Sequence, residues 1–390
     1  MTLVSIGFLV GSLVWGQAFL SPAAGAAAGS AEDPLREAQS LLADGRADQA
    51  APIFESILAA RPGSPVALRG LANSYGILRD PRALETFDRA VAADPNNLPL
   101  KVEFAEYLWD TRRFDRGNAE MEGVIQKAPG NAKLRVHYGM NLASQSKFAQ
   151  AAREFDAARR GGIDNADVLF YLGSALWETG RLDESEKWLR EAVSRDPEKA
   201  PARHRLGRLL LFRGKSQEAV VELERASTQA PDSAEIALDF GRALEATGKM
   251  ADAEAAYRKA LALEPGLSAT HYTLGTLLAR TGRREEAQQH IALYQDYFEK
   301  EQKRRFQAGA RQAELNLGWT ELDAGHPEKA LAQFERHPED PEGLRGAAMA
   351  LSKLGQHGEA ARRLERAVLI DPENRGLRWE LDREREKIKR

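Results

Sequence analysis

Apolar and polar residues follow one another along most of this chain with the three- and four-residue spacing of an amphipathic α-helix. The stretch ADAEAAYRKALALEPGL, residues 251–267, groups small residues around one aromatic, Tyr257, and is closed by Pro265. The segments SQEAVVELERASTQAPD and LDESEKWLREAVSRDPE show the same pattern in steps of 34 residues toward the amino terminus. The pattern therefore predicts helices that return at a fixed interval.

Five series of residues keep this 34-residue interval. Two of them are glycine series, Gly139, Gly173, Gly207, Gly241 and Gly275, and Gly180, Gly214, Gly248 and Gly282. Two are series of small residues, Ala151, Ser185, Ala219, Ala253 and Ala287, and Ala158, Ala192, Ala226 and Ala260. The last is formed by prolines that close the repeats, Pro129, Pro197, Pro231 and Pro265. Repeats of this length indicate a stacked array of supersecondary units.

Each repeat predicts two helices. The first, as in YTLGTLLARTG, ends at a turn glycine, and the second begins two or three residues later. The second helix places one large side chain between small residues, and we interpret these large side chains as core: Phe54, Phe87, Phe155, Leu189, Leu223 and Tyr257. A hairpin of this size cannot bury its apolar face alone, so neighbouring repeats must cover it.

This pattern resembles that of the tetratricopeptide repeat (TPR) family. The matching residues are Leu172-Gly173 with Leu176, Leu274-Gly275 with Leu278, and Ala253, Tyr257, Ala260 and Pro265 in the second helix. The family's leading Trp is absent and its Tyr is usually Leu here. The resemblance implies an all-α, right-handed superhelical solenoid of about ten helix-turn-helix units.

The register divides the chain into four predicted segments. Residues 1–30 form a leader, 31–310 an array of about eight units, 311–374 two further units, and 375–390 a charged capping helix. We expect the last helix to solvate the open end of the array. The second helix of the eighth unit is lengthened over 288–310, which is either a hinge, a partner contact or a neutral insertion.

The leader differs in kind from the rest of the chain. Residues 3–20 are apolar, a small-residue segment follows, and Glu32 is the first charged side chain. This composition is typical of a signal peptide or of a membrane anchor with a flexible linker. We therefore expect the protein to be exported, periplasmic or anchored to the inner membrane, although the basic residues that usually precede such a run are missing.

Composition and motifs argue against catalysis and against nucleic acid binding. Lys and Arg number 55 against 58 Asp and Glu, so the chain has no excess of positive charge for phosphates. It contains no cysteine. Gly214-Lys215-Ser216 lacks the earlier glycine of a phosphate-binding loop, because Leu209 stands there, and we interpret it as a turn. The histidines lack metal-ligand spacing, and His137, His204 and His271 are interpreted as a repeated solvent-facing position. We expect no enzyme activity, cofactor or metal.

The family resemblance implies a concave groove lined by the first helices, which holds a peptide or helix from a partner. Carried onto this sequence, the groove residues are Trp109, Val136, Met140, Phe170, Trp177, His204, Arg205, Arg208, Phe212, Leu238, Arg242, Tyr272 and Arg280. Aromatic residues and arginines are the types that contribute most to binding at interfaces. The Lys/Asn-rich set that grips a terminal carboxylate is missing.

Two functions are compatible with this groove. The first is a non-catalytic protein–protein interaction scaffold of the cell envelope. The alternative is a periplasmic protein that binds an exported polysaccharide, with sugar rings stacked on Trp109, Trp177 and Phe212. The sequence names neither partner.

Overall fold

The structure, a computed structural model, describes residues 34–389, which are helical throughout apart from turns and contain no strand. The helices in chain order are α1 Pro34–Ala43, α2 Ala47–Ala60, α3 Pro65–Ile77, α4 Ala83–Ala93, α5 Leu98–Asp110, α6 Phe114–Lys127, α7 Ala132–Ser144, α8 Phe148–Arg160, α9 Ala166–Glu178, α10 Leu182–Arg195, α11 Ala200–Phe212, α12 Ser216–Gln229, α13 Ala234–Ala246, α14 Met250–Leu263, α15 Ser268–Arg280, α16 Arg284–Asp323, α17 Pro327–Phe334, α18 Pro341–Lys353, α19 His357–Ile370 and α20 Arg375–Lys389. The predicted all-α class is confirmed.

The described residues form two compact units. Unit 1 contains the residues up to Val124 together with those from Phe306 onward, and unit 2 is Ile125–Arg305. Unit 1 therefore brings the first and the last helices of the chain together. Within each unit, successive helices pair as hairpins, and each hairpin covers the apolar face of the next.

In unit 2, each first-helix glycine receives the large side chain of the helix that follows it. A Cβ at Gly139 would lie 2.7 Å from the Phe155 ring, and one at Gly207 would lie 2.5 Å from Leu223 Cγ. Neither glycine can be enlarged without moving a core side chain. The six large side chains predicted as core are all at most 1% exposed, which confirms their assignment: Phe54, Phe87, Phe155, Leu189, Leu223 and Tyr257.

The second glycine series closes the turns between paired helices. Gly180, Gly214, Gly248 and Gly282 all have φ between 74° and 87°, a left-handed conformation that favours glycine. Gly214-Lys215-Ser216 forms the turn between α11 and α12, as predicted, with α12 beginning at Ser216. Lys215 pairs with Glu186 at 2.7 Å. The corresponding turn of an earlier repeat has Ser146, with φ 59°, in place of glycine. This position stores backbone strain.

Unit 1 contains separate apolar clusters in its amino-terminal and carboxy-terminal helices. The amino-terminal cluster is built around Phe54, Phe87 and Phe104. The carboxy-terminal helices bury Leu344, Leu351, Leu364, Leu377 and Leu381 in a different cluster. Among the apolar side chains of residues 34–389, Trp379 is the one from the carboxy-terminal helices that packs against the amino-terminal cluster.

The lengthened helix is longer than the break in the period alone predicts. α16 continues through residues 288–310 and takes in Gly318, so it also supplies the first helix of the following repeat. Gly318 and Phe334 are in close contact, since a Cβ on the glycine would lie 2.7 Å from the ring. The three hypotheses for 288–310 stay open.

The last helix is not a solvated cap at an open end. α20 packs its Leu377 and Leu381 into the carboxy-terminal cluster, and its opposite face contacts the first hairpins of the chain. Its many charges suggested a solvated surface, but several of them are paired with residues almost the whole chain length away. The composition of a helix gives its charge, but it does not show which residues the charged side chains contact.

The predicted leader, residues 1–30, lies outside the described residues, and the assignment of a signal peptide or anchor stays a prediction. Within residues 34–389, every helix is too short or too polar to cross a membrane.

Candidate interaction surface of unit 2

Three first helices of unit 2, α7, α9 and α13, begin at polar residues whose side chains cap them. The Asn165 side chain accepts a hydrogen bond from the Val168 backbone N–H at 3.0 Å at the start of α9. Ser233 caps α13 in the same way, through the Ile236 N–H. These caps satisfy N–H groups that a helix start leaves unpaired. α11 and α15 begin without a side-chain cap, after Lys199 and Leu267.

Arg205 joins α9 to α11. Its guanidinium donates to Glu178 Oε1 at 2.5 Å and lies 4.3 Å from the centre of the Trp177 ring. A cation over an indole face is attracted by the quadrupole of the ring. Arg205 is buried, and this burial lowers the pKa of the guanidinium while Glu178 opposes the shift. Arg208 approaches the same ring at 5.5 Å.

Asp239 joins α11 to α13 and is the most buried charge of this surface. His204 Nε2 lies 2.8 Å from Oδ2, Arg208 Nε 3.3 Å from Oδ2, and Arg242 Nη1 2.9 Å from Oδ1. Burial raises the pKa of this carboxyl, but the hydrogen bond from His204 and the surrounding positive charges outweigh burial and lower it. Asp239 therefore holds a cluster of cationic side chains in one place.

Glu245 joins α13 to α15. It accepts hydrogen bonds from Arg280 and, at 2.8 Å, from the Tyr257 hydroxyl. Burial and this carboxylate raise the pKa of Tyr257. The resulting chain of pairs across α9, α11, α13 and α15 is called the arginine ladder below: Arg205, Arg208, Arg242 and Arg280 with Glu178, Asp239 and Glu245.

The predicted groove residues differ in exposure. Phe212, on α11, is 68% exposed, and Tyr272, on α15, is 50% exposed. Arg280, also on α15, is exposed as well. The half-buried residues are Val136, Met140, Phe170, Trp177, His204, Arg208 and Arg242. The ladder connects one first helix to the next. Phe212 follows Arg208 by four residues on α11, and Tyr272 precedes Arg280 by eight on α15, so these exposed side chains lie on the same side of their helices as the ladder arginines.

Three predicted groove residues are buried. Leu238 belongs to the core of its repeat, one position before the ladder carboxylate Asp239. Trp109 lies in unit 1. Its side chain is buried, and its indole N–H donates to Asn118 Oδ1 at 3.0 Å. Trp109 fills the space left by Gly117, since a Cβ there would lie 2.6 Å from the indole. Because they are buried, Trp109 and Leu238 are unsuitable as groove contacts. The third buried residue, Arg205, contacts Trp177 and Glu178.

The predicted solvent-facing histidine position is wrong. His137 is half-buried and its pKa is lowered by burial, while His271 is fully buried. His271 contacts the Pro265 carbonyl oxygen through Nε2 at 3.0 Å and His290 Nδ1 through its own Nδ1 at 2.9 Å. A polar residue that recurs at the same position shows the register of the repeats. Its exposure depends on how the next helix packs against it.

Sequence reasoning missed the acidic partners of the ladder. Glu178, Asp239 and Glu245 lie next to predicted groove positions, yet nothing in their local sequence distinguishes them from the many carboxylates on solvated faces. The only signal for these partners is their separation, which is close to the repeat length: Arg205 and Glu178 are 27 residues apart, and His204 and Asp239 are 35 apart. Among residues 34–389, no group of three or more potential ligands is arranged to hold a metal ion.

Family comparison agrees with the repeat geometry. One tetratricopeptide repeat model matches residues 35–97, 139–200 and 204–268, and a second matches residues 268–292, 311–336 and 341–366. Together the matched residues cover more than half of the chain, which therefore belongs to the tetratricopeptide repeat family. Arrays of this kind present extended surfaces for binding other molecules. No curated protein matches the sequence.

Several solved structures resemble parts of the chain. A crystal structure of MamA is 23% identical, covering 42% of this chain and 96% of its own, with a TM-score of 0.39. MamA from Desulfovibrio magneticus RS-1 is 21% identical, covering 43% and 96%, with a TM-score of 0.41. YrrB, described as a TPR protein with an unusual peptide-binding site, is 21% identical, covering 48% and 97%, with a TM-score of 0.42. At these values the likenesses carry no functional argument.

Proposed function

We propose that this protein is a non-catalytic interaction scaffold that binds a peptide or helix of a partner protein on the first-helix face of unit 2. The exposure of Phe212 is the observation that carries the proposal. This large apolar side chain is exposed one turn after Arg208, on a face where the neighbouring aromatic and arginine side chains are held in place. Preorganised aromatic and arginine side chains are the usual anchors of protein interfaces.

The charges of this face favour a partner with both apolar and acidic side chains. Arg208 and Arg242 share the single carboxylate of Asp239, so their positive charge is only partly compensated. Trp177 and Phe170 supply half-buried aromatic surface on the preceding first helix. An apolar side chain of the partner would cover Phe212, while its carboxylate would pair with Arg208 or Arg242.

Site-specific photo-cross-linking tests this proposal. A benzophenone amino acid placed at Phe212 should capture the partner in native extract, whereas the same group at Val221 should not. Val221 is the matched control because it is also exposed, at 46%, but lies on the second helix α12. Equal capture at both positions, or none at Phe212, would contradict the proposed face.

The captured partner then allows a quantitative test with purified proteins. Phe212→Ala should weaken binding about tenfold or more, because it removes a central aromatic anchor. Arg208→Glu should also weaken binding, and its effect should depend on salt. Unchanged helical circular dichroism is the control for folding. An unchanged dissociation constant in both variants would place the partner on another surface.

The cell-envelope part of the proposal depends on residues 1–30, whose composition suggests a signal peptide or anchor. Cell fractionation with and without these residues tests it. Polysaccharide binding is the weaker alternative, since it relied on three aromatic platforms. Trp109 is buried, and Arg205 covers a face of Trp177. Phe212 alone stays open for a sugar ring.

A further inference from the structure

Unit 1 contains a contact between the two ends of the described chain that no repeat pattern requires. Arg375 Nη1 donates to the Gly45 carbonyl oxygen at 2.7 Å, and Arg383 Nη1 to Glu55 Oε1 at 2.9 Å. Trp379 Nε1 donates to Asp80 Oδ2 at 3.3 Å. These residues of α20 thus contact α2, the turn before α2 and the turn before α4.

Two further residues tighten this contact. Gly376 lies so close to the Leu78 carbonyl oxygen that an added Cβ would clash with it. Arg345, on α18, donates to the Arg79 carbonyl oxygen. The latch is defined here as Arg345, Arg375, Gly376, Trp379 and Arg383 with their partners on the first hairpins.

The latch is polar, in contrast to the contacts between neighbouring repeats. Trp379 is its only side chain that reaches the amino-terminal apolar cluster, and Leu377 and Leu381 pack into the separate carboxy-terminal cluster. If the latch opened, each cluster would keep its own core residues. The main apolar cost of opening would be the hydration of one indole.

The half-buried Glu55 and the buried Asp80 both keep partners on their own side of the contact. Glu55 also accepts from the Tyr75 hydroxyl and from Arg82, the latter at 3.1 Å. Asp80 is held by Arg82 Nη2 at 2.6 Å, independently of Trp379. A charge that retains a local partner avoids the large penalty of a buried unpaired ion.

The carboxy-terminal side is arranged in the same way. Arg345 Nε donates to Glu380 at 2.9 Å, so Arg345 would lose only the Arg79 carbonyl on opening. Glu384, on the far side of α20, is held by Ser352 at 2.8 Å and His357 at 2.9 Å. α20 would therefore stay attached to α18 and α19 while it left the first hairpins.

From this partition we propose that the latch is a releasable closure: α20 holds the first hairpins through polar contacts that open without unfolding either side. The Arg383–Glu55 ion pair of the latch is about one-third exposed and is therefore weakened by salt, so the closure is sensitive to ionic strength. It is also open to competition, because Glu55 and Asp80 present an acidic face to any helix that carries Trp and Arg in the positions of Trp379 and Arg383.

Electron paramagnetic resonance distances in the full chain test the closure. The chain has no cysteine, so spin labels attach only at Gln49→Cys and Glu386→Cys. Both positions are exposed, and both line the same cavity between α2 and α20. We expect one short distance at low salt and a growing long-distance population as salt rises.

Two variants should open the latch by different physical means. Arg383→Glu places a carboxylate against Glu55, and Gly376→Val drives a side chain into the Leu78 carbonyl. Each should move more than half of the spin pairs to long distances at low salt, with unchanged helical circular dichroism. Arg385→Glu is the matched control: it makes the same charge change on α20, but Arg385 pairs with Glu365 of α19.

Four results would overturn the proposal. The first is a short distance that persists in both opening variants, and the second is a long distance in the unmodified latch at low salt. The third is a short distance that appears between singly labelled chains mixed at high concentration, which would assign the contact to a second copy of the chain. Loss of helicity in both variants would show that the contact is part of the core and would also overturn it.

Discussion

The arginine ladder of unit 2 and the latch of unit 1 use the same residue types but differ in two ways. Ladder partners such as Arg205 and Glu178 are 27 residues apart, whereas Arg383 and Glu55 are 328 apart. The shared ladder carboxylate, Asp239, has a 9% exposed side chain, against 34% for Glu55. Repetition therefore produces near-neighbour pairs, whereas the ion pair between the chain ends joins distant residues and is about one-third exposed. Burial alone does not separate the two features, because the second latch carboxylate, Asp80, has a 5% exposed side chain.

This difference teaches how one kind of ion pair serves two purposes. In the ladder, several cationic side chains depend on one carboxylate, so removal of Asp239 leaves them all without their main partner. In the latch, Glu55 and Asp80 are each shared with Arg82, a local residue. The ladder is expected to be rigid and the latch to be separable.

The largest expected effect concerns the apolar core of unit 2. Phe155→Ala should lower the free energy of unfolding by about 3–5 kcal/mol, because it leaves a cavity against Gly139. Phe212→Ala, on the exposed face, should change it by less than about 0.5 kcal/mol. Urea denaturation followed by circular dichroism measures both. Similar losses in the two variants would mean that core and surface are not separated as described.

The second effect compares the ladder with the latch directly. Asp239→Asn should cost about 2–3 kcal/mol at pH 7, since it leaves partly buried cations without their shared carboxylate. Glu55→Gln should cost at most about 1 kcal/mol, because the group is one-third exposed and shared. Because the pKa of Asp239 is lowered in the folded state, its contribution is present above the unfolded pKa and lost as pH falls through the folded pKa. An equal cost of the two substitutions would remove the distinction.

A pH measurement sharpens the comparison in unit 1. Burial, followed by the neighbouring Glu103 and Asp110, raises the pKa of Glu106 from 4.5 to about 7. Because the carboxyl pKa of Glu106 is raised in the folded state, the contribution of Glu106 to stability is fully present below its unfolded pKa and is lost as pH rises through 7. Glu106→Gln should therefore be more stable than the parent protein at pH 8 and similar to it at pH 4. Thermal unfolding at both pH values checks this, and a larger gain at pH 4 would reverse the assignment.

The smallest effect concerns the turns. Ser146 has φ 59° where later repeats have glycine, so Ser146→Gly should stabilise unit 2 by about 0.5–1 kcal/mol. The reciprocal change, Gly180→Ser, should destabilise it by a similar amount. Chemical denaturation of the pair measures the difference. Opposite signs from those expected would show that side-chain contacts outweigh backbone strain at these turns.

Much of the fold could be predicted because one set of local requirements recurs. Gly180 and its equivalents are needed for left-handed turns, and Phe155 and its equivalents need a glycine opposite. The surface could be predicted less well. The family resemblance placed Leu238 among the groove residues, but its side chain packs in the core, while its neighbour Asp239 pairs with the arginines. One position along a helix is a rotation of about 100°, enough to exchange core for surface.

The sequence by itself determined the family, the helical class, the turns and the core residues, because these depend on interactions within about one repeat length. The tertiary structure alone decided which carboxylates hold the ladder arginines, that Trp109 is buried, and that α20 meets the first hairpins. These depend on side chains brought together by stacking, in the case of the latch across about 300 residues. No periodic signal marks such a pair, since the contact occurs once and its charges resemble those of any solvated helix.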